Sequence, residues 1–154
     1  MTNSHDLLQI ARDTRGVVTL TLNDPARFNA LGSEMLTALQ QALDEAGRDE
    51  SVRVVVLAAA GKAFCAGHNL KDMAAHPELA YYQKLFAQCS RMMLTIHKLS
   101  VPVLARVQGM ATAAGCQLVA QCDLAVAADS ASFATSGIHY GLFCATPSVP
   151  LVRN

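Results

Sequence analysis

V-R-V-V-V-L-A-A-A at residues 52–60 runs directly into G-K-A-F-C-A-G-H-N-L-K at residues 61–71. The first segment is mostly apolar without clean alternation, which predicts a strand covered on both faces. The second opens where that strand ends, and Gly67 permits a backbone turn that directs the NH groups of His68 and Asn69 outward. Upstream, Leu7–Ala11 and Val17–Asn23 are β-type runs joined by Arg12–Gly16, which predicts an opening hairpin stopped by Asn23, Asp24 and Pro25. Ser33 reads as the N-cap of a helix reaching about Ala46, because Leu36, Leu39, Leu43 and Ala46 recur at helical spacing, and Gly47 ends it. Strand, helix, strand in this order implies a right-handed parallel crossover.

The same plan continues downstream. Pro77 is placed to start a long helix carrying Leu79, Tyr82, Leu85, Phe86, Cys89, Met92, Met93 and Ile96, and Pro102 ends it before a strand at Val103–Val107. Phe86 and the Met92-Met93 pair read as core positions of that amphipathic helix, and Cys116 as a small core residue further on. G-M-A-T-A-A-G-C-Q-L at residues 109–118 is a second strand-to-loop junction. A helix from about Thr112 to Gln121 begins there, so its first NH groups are unpaired and its dipole favours a developing negative charge. Leu124–Ala128 reads as a further buried strand. The chain is thus expected to be one α/β domain over residues 1–154, without linker or repeat.

Composition excludes several classes of function. Twelve basic residues balance twelve acidic ones, which leaves no basic field for nucleic acid or an anionic membrane. The uncharged stretch from Ser130 to Val152 exceeds a spanning helix in length, but six Ser/Thr residues, Gly137, Gly141, Pro147 and Pro150 give it loop and strand chemistry. Cysteines 65, 89, 116, 122 and 144 form no C-x-x-C pair, and no signal peptide precedes them, so reduced thiols and a cytoplasmic location are expected. The histidines at 5, 68, 76, 97 and 139 show no metal-ligand spacing. Gly61-Lys62 is not a phosphate loop, since Val56 and Ala63 stand where a glycine and a Ser or Thr are needed. A mean hydropathy of +0.27 with 16% charged residues points to apolar surface facing another subunit or a missing segment. The stop at Leu151-Val152-Arg153-Asn154 reads as a truncation.

The two glycine-bearing junctions together resemble the paired oxyanion-hole motifs of the crotonase superfamily, the enoyl-CoA hydratase/isomerase family. D-P-A-R-F-N-A-L (24–31), K-L-S-V-P-V-L-A-R-V-Q-G (98–109) and C-D-L-A-V-A (122–127) resemble further motifs of that family, in the same order and over most of the chain. The resemblance implies a ClpP/crotonase-like spiral of β-β-α units, here without the C-terminal helices. It implies an acyl-CoA or enoyl-CoA thioester as ligand, its carbonyl held by the backbone NH groups of His68 and Ala114. Ala66, His68, Asn69 and Leu70 would line the acyl channel, with Arg27 near the nucleotide end. No separate cofactor is implied, because coenzyme A belongs to the substrate, and a homo-oligomer, trimer or hexamer, is expected.

Where hydratases of the family carry two glutamates, this chain has Gln117 and Gly137. An amide can hold a water but cannot take its proton, and glycine offers nothing. Hydration is therefore expected to be impaired while thioester binding survives. His139 and Tyr140 stand just beyond Gly137 as candidate proton carriers. A non-catalytic acyl-CoA-binding or assembly homologue is the alternative.

Overall fold

A computed structural model describes residues 7–141 and 143–153. The opening hairpin is present: β1 (Leu8–Arg12) pairs antiparallel with β2 (Val17–Leu22). After a short 3-10 turn at Pro25–Arg27 come α1 (Ser33–Arg48) and β3 (Val54–Ala59), which lies parallel to β2 as the crossover requires. Three β-β-α turns then follow. The first is β3, β4 (Ala63–Cys65) and the helices α2 (Leu70–Ala75) and α3 (Leu79–Lys98). The second is β5 (Val103–Val107), β6 (Met110–Thr112) and α4 (Ala114–Ala120). The third is β7 (Leu124–Ala127), β8 (Phe133–Ala134), a 3-10 turn at Ser136–Tyr140 and α5 (Ala145–Arg153).

Each turn contributes one strand to each of two sheets. The larger runs β1-β2-β3-β5-β7 and the smaller β4-β6-β8, and all pairs except β1/β2 are parallel. The core lies between the large sheet and the pair α1 and α3. Leu36, Leu39 and Leu43 of α1 are buried together with Leu85, Cys89, Met92, Met93 and Ile96 of α3.

Several sequence expectations change. Ser33 does not cap α1; Gly32 occupies the cap position, and the Ser33 hydroxyl donates instead to Oε1 of Gln88 at 2.8 Å. Gly47 does not end that helix either, which continues to Arg48. Pro77 lies just outside α3, whose cap is Glu78. Leu124–Ala127 is a strand, but it is the edge of its sheet, and Leu124 and Val126 are 63% and 60% exposed. The 145–153 segment, expected as loop and strand, is helical. Pro147 falls in its first turn, where no NH is required, and Pro150 is accommodated inside the helix. Among the described residues no helix is long and apolar enough to cross a membrane.

One loop ties the hairpin to the rest. Asn29 is completely buried with φ +54°, a left-handed conformation that Asn tolerates better than most residues. Its Nδ2 donates to the carbonyls of Ala60 and Ala63, both at 2.9 Å, and its Oδ1 accepts the NH of Asp24 at 2.8 Å. This one side chain thereby fixes the entry and exit of the turn between β3 and β4. Asn29→Ala leaves the Ala60 carbonyl and the Asp24 NH without these partners, each worth about 1 to 3 kcal/mol when unsatisfied, while the Ala63 carbonyl keeps the Gln108 Nε2 donor at 3.1 Å. The expected result is a loss of about 2 to 4 kcal/mol in stability, read from the shift of the urea midpoint.

Candidate functional site

Because β4, β6 and β8 are parallel, their carboxyl ends share one edge. The chain leaves β4 into Ala66-Gly67-His68, leaves β6 into Ala113-Ala114, and leaves β8 into Thr135-Ser136-Gly137. Three loops that are far apart in sequence therefore meet, as ligand-binding loops do at the carboxyl ends of parallel sheets.

The first two loops are locked together by close backbone contact. Gly67 has φ +88°, and a Cβ placed on it would stand 3.0 Å from Cβ of Ala113, 3.1 Å from the Thr112 oxygen and 3.2 Å from the nitrogen of Ala114. Gly115 is tighter still, since its Cβ would come within 2.1 Å of the Cys65 carbonyl oxygen. The Thr112 hydroxyl donates to the Ala66 carbonyl at 3.1 Å. From the other side, the Leu31 NH donates to the Gly67 carbonyl at 2.8 Å and the Ala66 NH to that of Phe28 at 3.0 Å.

Ala113 holds the second loop in a strained shape. Its φ of +50° and ψ of −122° are costly for a residue with a Cβ, on the order of 1 to 3 kcal/mol. The conformation is retained by its NH donating to the Ala134 carbonyl at 2.9 Å. Ala114 is the first residue of α4, where a backbone NH has no intrahelical acceptor. Neither this NH nor that of His68 has a hydrogen-bond acceptor among the described residues. Both belong to loops in backbone contact, a Cβ on Gly67 standing 3.2 Å from the Ala114 nitrogen. At seven residues α4 is too short for a strong dipole.

The loops open onto a largely apolar cavity of about 510 Å³. Ala66, His68, Leu70, Ala114 and Gly137, all singled out from the sequence, line it. Met73, Phe86 and Phe143 complete its apolar wall. Phe86 is thus not a core residue. It is 45% exposed, stacked on Tyr82 and edge-on to the His68 ring at 5.3 Å. Tyr82 and Phe86 lie on nearly the same helical stripe as Leu85 and Cys89, so spacing alone did not separate the cavity wall from the core.

Other candidates lie elsewhere. Asn69 caps α2, its Oδ1 accepting the NH groups of Lys71 and Asp72, and its Nδ2 donates to Asp72 at 2.7 Å. It lines a separate cleft with Arg27, whose Nε donates to Asp24 at 2.6 Å. Asp24, Glu34 and Asp72 also line that cleft, a charge balance that does not favour a phosphate. Gln117 is buried, its Oε1 accepting the Thr146 hydroxyl at 2.9 Å, and it lines a neighbouring cavity with His97 and Pro150. Thr146 lines both that cavity and the one holding His68. His139 is exposed on the 3-10 turn and does not line the cavity of His68, while the Tyr140 side chain lies outside the described residues. Cys116 is buried, as expected of a core residue.

The His68 ring points inward. Its Nδ1 lies 3.0 Å from the Leu31 carbonyl oxygen, and burial lowers its pKa below the ordinary histidine value, an effect the Leu31 contact partly opposes. The ring is therefore neutral at pH 7.

Comparison with known proteins agrees with this architecture. A family model described as Enoyl-CoA hydratase/isomerase matches residues 12–154. An enoyl-CoA hydratase crystal structure from Mycobacterium smegmatis is 64% identical, with a TM-score of 0.94, over 96% of this chain and 58% of that one. The crystal structure of human enoyl Coenzyme A hydratase domain-containing protein 3 is 41% identical, with a TM-score of 0.89, over 96% of this chain and 58% of that one. Enoyl-CoA hydratase domain-containing protein 3, mitochondrial, from Xenopus laevis is 43% identical over 97% of this chain and 51% of its own length. The chain spans about half the length of the curated relatives it matches. Their names overturn the expectation of a cytoplasmic location, because those relatives are mitochondrial.

Gly67 and Gly141 both have positive φ, but only Gly67 would also collide, since nothing lies within 4 Å of a Cβ on Gly141. Gly67→Ala is therefore expected to lower the thermal midpoint more than Gly141→Ala does, and to shift the amide resonances of His68 and Ala114 in a nitrogen-15 correlation spectrum.

Proposed function

The chain belongs to the enoyl-CoA hydratase/isomerase family, and from that premise we propose that its cavity takes the acyl part of a coenzyme A thioester. The thioester oxygen is received by the NH groups of His68 and Ala114. The observation that carries this reading is the pair of acceptor-free donors at the mouth of an apolar cavity, on loops held by backbone contact. Deprotonation next to a thioester moves charge onto the carbonyl oxygen, and each preorganised donor lowers that barrier by about 3 to 4 kcal/mol. The substrate brings its own coenzyme A, and the protein acts as an assembly of copies.

Hydration of a double bond additionally needs groups that activate water and protonate carbon. Among the described residues no carboxylate lines the cavity. Gly137 offers its backbone alone, and Gln117 is occupied by Thr146. Acid and base groups each contribute about 10² to 10⁴ in rate. The reading is therefore an enolate-stabilising member of the family with impaired hydration. The same two positions favour a second reading, an acyl-CoA-binding homologue without turnover.

Calorimetric titration with butyryl-CoA and with free coenzyme A tests the site, and crotonyl-CoA hydration tests the impairment. Tighter binding of the thioester than of coenzyme A, with hydration near background, is the expected outcome. Equal binding of the two ligands, or none, would overturn the oxyanion assignment, and rapid hydration would overturn the impairment.

A further inference from the structure

We propose that the His68 imidazole exchanges a proton with the carbon next to the thioester carbonyl, while the NH of the same residue holds the carbonyl oxygen. This rests on the acyl-CoA reading above and adds to it the identity of the base. Its starting point is the tautomer. The Leu31 carbonyl can only accept a hydrogen bond, so Nδ1, 3.0 Å away, carries the proton in the neutral ring. Nε2 is then a lone pair. It has no hydrogen-bond partner among the described residues and is not among the buried unpaired atoms, so it retains access to open space. The space that the His68 ring lines is the apolar cavity.

The ring is held in place on two sides. Leu31 fixes Nδ1, and Phe86 meets the ring edge-on at 5.3 Å with an interplanar angle of 64°. Phe86 is in turn stacked on Tyr82, whose hydroxyl is turned away to donate to the Met73 carbonyl. Among the described residues, Cys144 is the other titratable side chain lining the cavity. Of the charged residues on the adjoining α2, Asp72 accepts from Asn69, and neither Lys71 nor Asp72 lines the cavity. Cys65, beneath the first loop, is a buried thiol pushed up to about 12 and is no base at neutral pH.

The chemistry balances without a further reactant. The bond between the α-carbon and hydrogen breaks, and its electron pair forms the carbon–carbon double bond of the enolate. The negative charge settles on the oxygen held by the NH groups of His68 and Ala114. The proton passes to Nε2, giving an imidazolium. Its return to the α-carbon exchanges the hydrogen, and its delivery to the γ-carbon of an enoyl chain moves the double bond. The neutral ring is regenerated in both cases. Unlike His139, which is exposed and away from the cavity, His68 lines the cavity proposed to take the acyl chain.

The test follows α-hydrogen exchange of butyryl-CoA in heavy water by mass spectrometry, with calorimetry on each protein. His68→Asn keeps a side-chain donor near the Nδ1 position while removing Nε2; His68→Gln serves as the second variant, with folding of both checked by thermal melting. The natural protein is expected to exchange, with a rate that rises with pH to a plateau as the ring loses its proton at a pH below 6.5, the ordinary value. Both variants are expected to lose about 10²-fold or more in exchange while retaining thioester binding, since the backbone NH remains. Undiminished exchange in a folded variant would overturn the proposal. Thioester binding by the natural protein without exchange would overturn it too and leave the acyl-CoA reading standing. Absence of thioester binding would sink both.

Discussion

A Cβ on Gly115 would stand 2.1 Å from the carbonyl oxygen of Cys65, and a Cβ on Gly109 would stand 2.1 Å from that of Lys62. Only glycine lets β6 and the start of α4 lie this close to β4. The candidate site depends on that proximity, because it brings the loop after β4 and the loop after β6 to one cavity. Backbone contact, unlike a side-chain contact, has no rotamers through which to relax. Donors placed in this way keep their positions while charge develops on a substrate.

Strain and satisfaction are distributed to serve the same end. Ala113 is held at positive φ by a hydrogen bond to Ala134, so the third strand of the small sheet stabilises the turn made by the second. Asn29 spends its whole hydrogen-bonding capacity on backbone groups at the two ends of the β3–β4 turn and on Asp24. The Leu31 carbonyl, two residues further on, orients His68. The D-P-A-R-F-N-A-L loop thus supports the floor of the site without lining the cavity.

The parallel crossovers were legible because β3 and β5 are apolar runs and α1 and α3 carry long periodic faces. Gly67 and Gly115 marked junctions where backbones come into close contact. The small sheet was not legible, since strands of two or three residues leave no period to detect. β7 was misjudged because its apolar composition says nothing of its place at a sheet edge, and α5 because its prolines read as loop. Phe86 was assigned to the core since a face exposed to a cavity and a face buried in the core share one periodicity. The inward turn of the His68 ring depends on a carbonyl 37 residues away in sequence, a contact that no local pattern encodes. His139 sits close in sequence to Gly137 yet outside the cavity, since a 3-10 turn directs successive side chains apart.

The proposed function requires the NH groups of His68 and Ala114 to converge on the thioester oxygen. Isotope-edited difference infrared spectroscopy of butyryl-CoA carrying carbon-13 at the thioester carbonyl observes that oxygen's bond directly. With two fixed donors polarising the bond, the carbonyl stretch of the bound ligand is expected at lower frequency than in water. A bound ligand whose carbonyl stretch stays at or above its value in water would contradict the proposed function.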